Sequence, residues 1–131
     1  MKRVLLADNH PLVLEGLRAF LEPHVESVET VMDGKALVEA ALRLKPDMVI
    51  LDFTLPSLNG IDAAVRIKKA LPETKLIFVT MHVSPVYLEA ALNAGGTGFV
   101  LKSAAHQELL EPIQSVLDGR TYVTSSLRAN N

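Results

Sequence analysis

The 131-residue sequence has no cysteine. Disulfides and thiolate-ligated zinc are therefore excluded, and a reducing compartment fits. Tryptophan is absent and aromatic residues make up only 5%, so any core must be built from Leu, Val, Ile and Ala. No apolar run approaches the roughly 18–20 residues needed to span a bilayer. The start, Met1-Lys2-Arg3, has the charge of a signal peptide, but Asp8 stops the apolar stretch Val4-Leu5-Leu6-Ala7 after four residues, too short for a signal core. Neither sign of charge dominates: thirteen basic and fifteen acidic residues give a formal charge of −2, without the concentrated basic face of a nucleic-acid binder. These absences lead to the expectation of a cytoplasmic protein that contacts neither membrane nor nucleic acid directly.

Hydrophobic residues make up 49% of the chain, enough for one domain with a substantial core but not for two independent ones. Short apolar runs alternate with helical periods. Val4-Leu5-Leu6-Ala7 reads as a strand buried on both faces. Pro11 suits a first helical turn, Leu14, Leu17 and Leu21 share one helical face, and Pro23 ends it. A weaker strand is expected over residues 25–31. The Asp33-Gly34 turn opens a second helix with Leu37, Ala40, Ala41 and Leu44 on one face, closed by Lys45-Pro46. Met48-Val49-Ile50-Leu51 is the clearest strand, followed directly by Asp52 and by a loop from Pro56 to Gly60.

A third helix begins with Ile61, Ala64 and Val65 and ends near Pro72; Leu76-Ile77-Phe78-Val79 is a fourth strand. Pro85 opens a fourth helix, broken at Gly95-Gly96-Thr97-Gly98. Phe99-Val100-Leu101 is a fifth strand, and a last helix carries Leu109, Leu110, Ile113, Val116 and Leu117. Pro112 is expected to kink that helix, because it cannot donate to the carbonyl four residues back. Five β-α units in strict alternation imply an α/β fold, a doubly wound five-stranded parallel sheet with helices on both faces. In such sheets the site lies beyond the carboxyl ends of the strands.

Asp8 and Asn9 follow strand one, Asp52 follows strand three with Thr54 two residues on, Thr80 follows strand four and Lys102 follows strand five. Parallel strands bring all of these to one sheet edge. Acids, a hydroxyl and a lysine together suggest phosphoryl transfer to a carboxylate. An Asp is a competent nucleophile toward phosphorus when a cation neutralises the charge, and Mg²⁺ suits a site of one or two carboxylates. Lys102 supplies a point charge for a phosphoryl oxygen, and the Thr80 hydroxyl a hydrogen bond.

Over about residues 1–120 the chain resembles the receiver domain of two-component response regulators. The resemblance rests on Asp8-Asn9-His10-Pro11, on the run from Pro46 to Asp52 with Pro56 and Asn59-Gly60 downstream, on Thr80, and on Gly98-Phe99-Val100-Leu101-Lys102. Within that family it is most similar to the receivers of LuxR/NarL-type transcription regulators, through His10-Pro11, Lys102-Ser103-Ala104 and Gly119-Arg120-Thr121-Tyr122. The resemblance implies a (βα)5 flavodoxin-like fold with strand order 2-1-3-4-5. It implies a histidine kinase that phosphorylates Asp52, with Mg²⁺ between Asp8, Asn9, Asp52 and the backbone carbonyl of Thr54. Thr80 and Phe99 become the switch pair, with Phe99 equally readable as a plain core aromatic. Residues 121–131 become the start of a linker to a C-terminal helix-turn-helix domain outside this chain. That DNA-binding domain, the kinase and a second copy of the chain are the implied partners.

Receivers usually carry two acids after strand one, and here the second is Asn9, which offers a carbonyl oxygen but no charge. Weaker Mg²⁺ binding, less like-charge pressure on Asp52 and slower phosphorylation are expected. A receiver-like interaction module that is never phosphorylated is the alternative. An aspartyl phosphatase is disfavoured, because the residue two beyond the candidate nucleophile is Thr54 rather than a second acid. A flavin protein is disfavoured by the lack of a hydroxyl- or glycine-rich loop after strand one. Asp8 and Asn9 also read as helix caps. The four histidines show no metal spacing, His82 lies near the site mouth, and Arg66, Lys68 and Lys69 read as a solvated helix face.

Overall fold

A computed structural model describes residues 2–81, 84–102 and 109–123. Among the described residues, six parallel strands are ordered β2-β1-β3-β4-β5-β6. They are β1 (Arg3–Ala7), β2 (Ser27–Val31), β3 (Met48–Leu51), β4 (Lys75–Thr80), β5 (Gly98–Leu101) and β6 (Tyr122–Val123). The helices are α1 (Pro11–Leu21), α2 (Gly34–Leu44), α3 (Gly60–Ala70), α4 (Pro85–Asn93) and α5 (Leu110–Leu117), with a 3-10 turn at Glu22–His24 after α1. No helix among the described residues is long and apolar enough to cross a membrane.

Period two within the strands divides the core. Val4 and Leu6 of β1, with Met48 and Ile50 of β3, face Leu14, Leu17 and Leu21 of α1 and Ile113 and Val116 of α5. Leu5 and Ala7, with Val49 and Leu51, face Leu37 and Ala41 of α2 and Ala63, Ala64 and Ile67 of α3. Because β3 is buried on both faces at all four positions, it reads in sequence as an unbroken apolar run. Small residues on α2 and α3 let those helices sit close against the sheet.

The strand order expected from the resemblance holds, with two differences. The sheet has a sixth strand: Tyr122 pairs with Gly98 and Val123 with Phe99, and the Tyr122 ring is buried. Two residues are too few for a periodic signal, which is why this stretch reads as linker. The kink expected at Pro112 is not required. The described helix starts at Leu110, so Pro112 lies in the first turn, where the amide has no intrahelical carbonyl to serve. Ser103, Ala104, His82, His106 and residues 124–131 lie outside the described residues.

Candidate functional site

The chain leaves β1 toward β2 on one side and toward β3 on the other, so the crevice opens between the carboxyl ends of β1 and β3. Ala7 is the register partner of Leu51, which sets the next residues, Asp8 and Asp52, side by side. Their backbones are tied in: Asp8 N–H donates to the Val31 carbonyl at 3.3 Å and Asp52 N–H to the Ala7 carbonyl at 3.2 Å. Both acids are buried, 3% and 6% exposed. Two carboxylates buried this far need a counter-charge.

Lys102 supplies it. Its ammonium lies 2.7 Å from Asp52 Oδ2 and 2.8 Å from Asp8 Oδ2, joining residues far apart in sequence. Burial, the largest single influence, pulls the Lys102 pKa down. The hydrogen bonds to Asp52 and Asp8 and the charges of both acids together outweigh it, so the pKa ends above its ordinary value and the lysine stays charged. The other oxygen of Asp52 has a longer contact: Oδ1 accepts from the Thr54 N–H at 3.4 Å.

Asp8 is not a helix cap. His10 is the N-cap of α1, without a side-chain capping bond, and Asp8 Oδ1 instead accepts the His10 N–H at 2.9 Å. The His10 ring also meets this carboxylate, with Nδ1 2.8 Å from Asp8 Oδ1 and 3.3 Å from Lys102 Nζ. This contact was not foreseen from sequence. An Asp-x-His pattern just before an N1 proline is the signal that was there to be used.

Asn9 follows Asp8 in the chain, and its Oδ1 is buried without a hydrogen-bond partner among the described residues. Two paired carboxylates, with an Asn carbonyl oxygen next to one of them in sequence, are hard oxygen donors of the kind that fits Mg²⁺.

Thr80 is buried at the end of β4. The Phe99 ring, 2% exposed, lies inside the α2–α3–α4 side of the core and stacks parallel to Phe78 at 6.3 Å. Phe78 stacks in turn on Phe53 at 4.7 Å, and Phe53 meets Tyr87 of α4 at 5.3 Å. An aromatic column thus runs from the residue after Asp52 to Phe99 and touches α4. Phe53 gave no sign of this in sequence, because its ring contacts come from two other elements, β4 and α4.

The loop after β3 is held by two glycines. A Cβ on Gly34 would lie 1.7 Å from the Leu58 carbonyl oxygen, and one on Gly60 would lie 2.0 Å from the Asp52 carbonyl oxygen. Asn59 caps α3 by accepting the Asp62 N–H at 2.9 Å, and Gly60 N–H donates to the Phe53 carbonyl at 2.8 Å. Gly60→Ala must push this loop off the Asp52 backbone. A loss of about 1–3 kcal/mol is expected, as for other overpacked sites, read as a lower urea midpoint with an unchanged slope.

The family model for the response regulator receiver domain matches residues 4–114. The chain belongs to this family. Receiver domains are signalling domains whose general function is to accept a phosphoryl group, and they bind Mg²⁺ at an acidic pocket. This receiver is similar to those of LuxR-family transcription regulators. It is 36% identical over 127 residues to the transcriptional regulatory protein MctR of Rhizobium johnstonii, an alignment covering 95% of this chain and 59% of that protein. It is 33% identical over 128 residues to the oxygen regulatory protein NreC of Staphylococcus haemolyticus, with the same coverage. The chain therefore spans about three-fifths of the length of these relatives.

Among solved structures, a LuxR-family two-component response regulator from Aurantimonas sp. superposes with a TM-score of 0.91 at 29% identity, covering 98% of this chain and 94% of that one. The isolated REC domain of RcsB from Salmonella enterica serovar Typhimurium, solved in the presence of the phosphomimetic BeF3−, gives 0.86 at 29% identity, covering 98% of this receiver and 96% of that chain.

Proposed function

We propose that Asp52 is the phosphoacceptor of this receiver and that a sensor histidine kinase is its donor. The observation that supports this most directly is the Lys102 ammonium shared between Asp52 and Asp8 at 2.7 and 2.8 Å. A cation is already held at the place where phosphoryl charge arrives. In the transfer, an Asp52 carboxylate oxygen attacks phosphorus, the donor's P–N bond breaks as the O–P bond forms, and the imidazole leaves. Oδ1 is the better placed oxygen, since Oδ2 is held by Lys102. Lys102 then exchanges a carboxylate partner for a phosphoryl oxygen, and the Thr80 hydroxyl donates to another. Phe99, through its stack on Phe78, carries the change to the β5 and α4 side, a two-state element biased by new charge.

Asp8, Asp52, Asn9 Oδ1 and the Thr54 carbonyl are the groups assigned to Mg²⁺. When bound, the ion neutralises charge between the carboxylate and the phosphoryl oxygens. The output follows from the LuxR-family relatives: a C-terminal helix-turn-helix domain beyond this chain, working in the cytoplasm, with a second receiver as a further partner. Incubation with acetyl phosphate and millimolar Mg²⁺ tests the assignment. The mass of the protein should rise by one phosphoryl group, and no uptake from acetyl phosphate or a cognate kinase would overturn it.

Asn9 is the observation that favours a second reading, an interaction module that is not phosphorylated. The two readings part at the metal. Asn9→Asp restores a charged ligand, and Mg²⁺ affinity should rise by about tenfold, or 1.4 kcal/mol, in a calorimetric titration. Equal affinity in both proteins would show that position 9 is not a ligand.

A further inference from the structure

We propose that His10 is a further protein ligand in the cation pocket, the one nitrogen donor among its oxygens, so that this receiver takes an imidazole-preferring divalent ion of the Co²⁺, Ni²⁺ and Zn²⁺ type in a way that Mg²⁺ cannot share. The inference rests on the reading of Asp8 and Asp52 as a cation pocket and extends it to a residue outside that oxygen donor set. One ligand atom each from Asp8, His10 and Asp52 lie within 4.8 Å of one another, so a small closing of the side chains brings all three onto one ion with bonds of about 2.0–2.2 Å.

A cation already marks the position. The Lys102 ammonium lies 2.7 Å from Asp52 Oδ2, 2.8 Å from Asp8 Oδ2 and 3.3 Å from His10 Nδ1, against the same three side chains. Asn9, between Asp8 and His10 in sequence, adds a second pointer: its Oδ1 is buried and has no hydrogen-bond partner among the described residues.

The chemistry discriminates between metals. Mg²⁺ demands oxygen ligands and keeps its waters, so an imidazole adds nothing to its site. Borderline first-row ions gain from a nitrogen donor. Asn9 removes the charged oxygen that would otherwise favour the hard ion, which leaves two carboxylates, one neutral oxygen and one imidazole. His10 is built to serve. Its backbone is fixed, because its N–H is held by Asp8 and Pro11 follows at the first position of α1. Its side chain, 54% exposed, has room to turn. Ligation requires the Nδ1 lone pair, so the ring gives up its contact with Asp8 Oδ1 and the proton resides on Nε2. Lys102 moves aside, as it must for any cation bound between the two acids.

The test is a pair of titrations, Mg²⁺ and Co²⁺, on the full chain and on His10→Ala, followed by calorimetry and by the visible absorption of bound Co²⁺. A His10→Cys variant restores a soft donor at the same place. Loss of the imidazole should weaken Co²⁺ at least tenfold and shift its absorption bands, while the Mg²⁺ constant moves by less than about twofold. Cys at position 10 should recover tight Co²⁺ binding with a new sulfur-to-cobalt band. Equal weakening of both metals in His10→Ala would mean that His10 only positions Asp8, and would overturn the proposal. So would a Co²⁺ constant and spectrum that do not respond to position 10. If neither metal binds the unaltered protein, the reading of the acidic pocket itself fails, and this proposal with it.

Discussion

Asp52→Asn is expected to take up no phosphoryl group from acetyl phosphate in millimolar Mg²⁺, under conditions that label the unaltered protein. The substitution keeps the size and shape of the side chain and replaces the nucleophilic carboxylate with an amide. The amide oxygen can still accept from Lys102, whose ammonium lies 2.7 Å from Asp52 Oδ2. The backbone bond from residue 52 to the Ala7 carbonyl is untouched, so the fold should stand and the loss should be chemical. Intact mass should show no added phosphoryl group, while circular dichroism and the urea midpoint confirm folding. Labelling of the Asp52→Asn variant at the level of the unaltered protein would place the acceptor elsewhere and end the assignment.

Lys102→Met should have the second largest effect, and it should appear in two measurements. The first is stability without divalent cations. Lys102 is the counter-charge for two carboxylates that are 3% and 6% exposed, and its removal leaves them facing one another across the β1–β3 crevice. Breaking a fully buried pair costs about 3–5 kcal/mol. The half-exposed His10 ring also borders this group, so a loss of about 1–3 kcal/mol is the expectation. Mg²⁺ should restore most of it, because a divalent ion bound to the native state replaces the missing charge.

The second measurement is the phosphoryl-transfer rate. A charge-assisted hydrogen bond is worth about 1.5–3 kcal/mol, so uptake should slow by roughly tenfold to a hundredfold. A variant as stable as the unaltered protein in chelator, and as fast with acetyl phosphate, would show that Lys102 neither balances the acids nor meets the phosphoryl group.

The strands were legible in sequence for a physical reason. A parallel strand covered by helices on both faces has no polar side, so Val4-Leu5-Leu6-Ala7 and Met48-Val49-Ile50-Leu51 stand out as runs. Pro11 and Pro85 mark helix starts because an N1 residue needs no amide donor. Asp8, Asp52, Thr80 and Lys102 were legible as a set because each lies at the end of a strand, and parallel strands deliver their ends to one edge. The weak element was β6. Its two residues, Tyr122 and Val123, are held by pairing with Gly98 and Phe99 and carry no period of their own. Pro112 was misleading because its meaning depends on where the helix begins.

By itself the sequence determined the parallel α/β architecture, the sheet edge at which Asp8, Asp52 and Lys102 gather, and the neutral side chain at Asn9. These follow from local periodicity and from residue identity, which need no third dimension. Only the tertiary structure decided how the charges are paired. Lys102 rests between Asp8 and Asp52, and the His10 ring meets the Asp8 carboxylate. Phe53 joins a column with Phe78 and Phe99. Most of these contacts depend on distances between elements tens of residues apart, set by strand register and by the close approach that Gly34 and Gly60 permit, and no pattern along the chain encodes them.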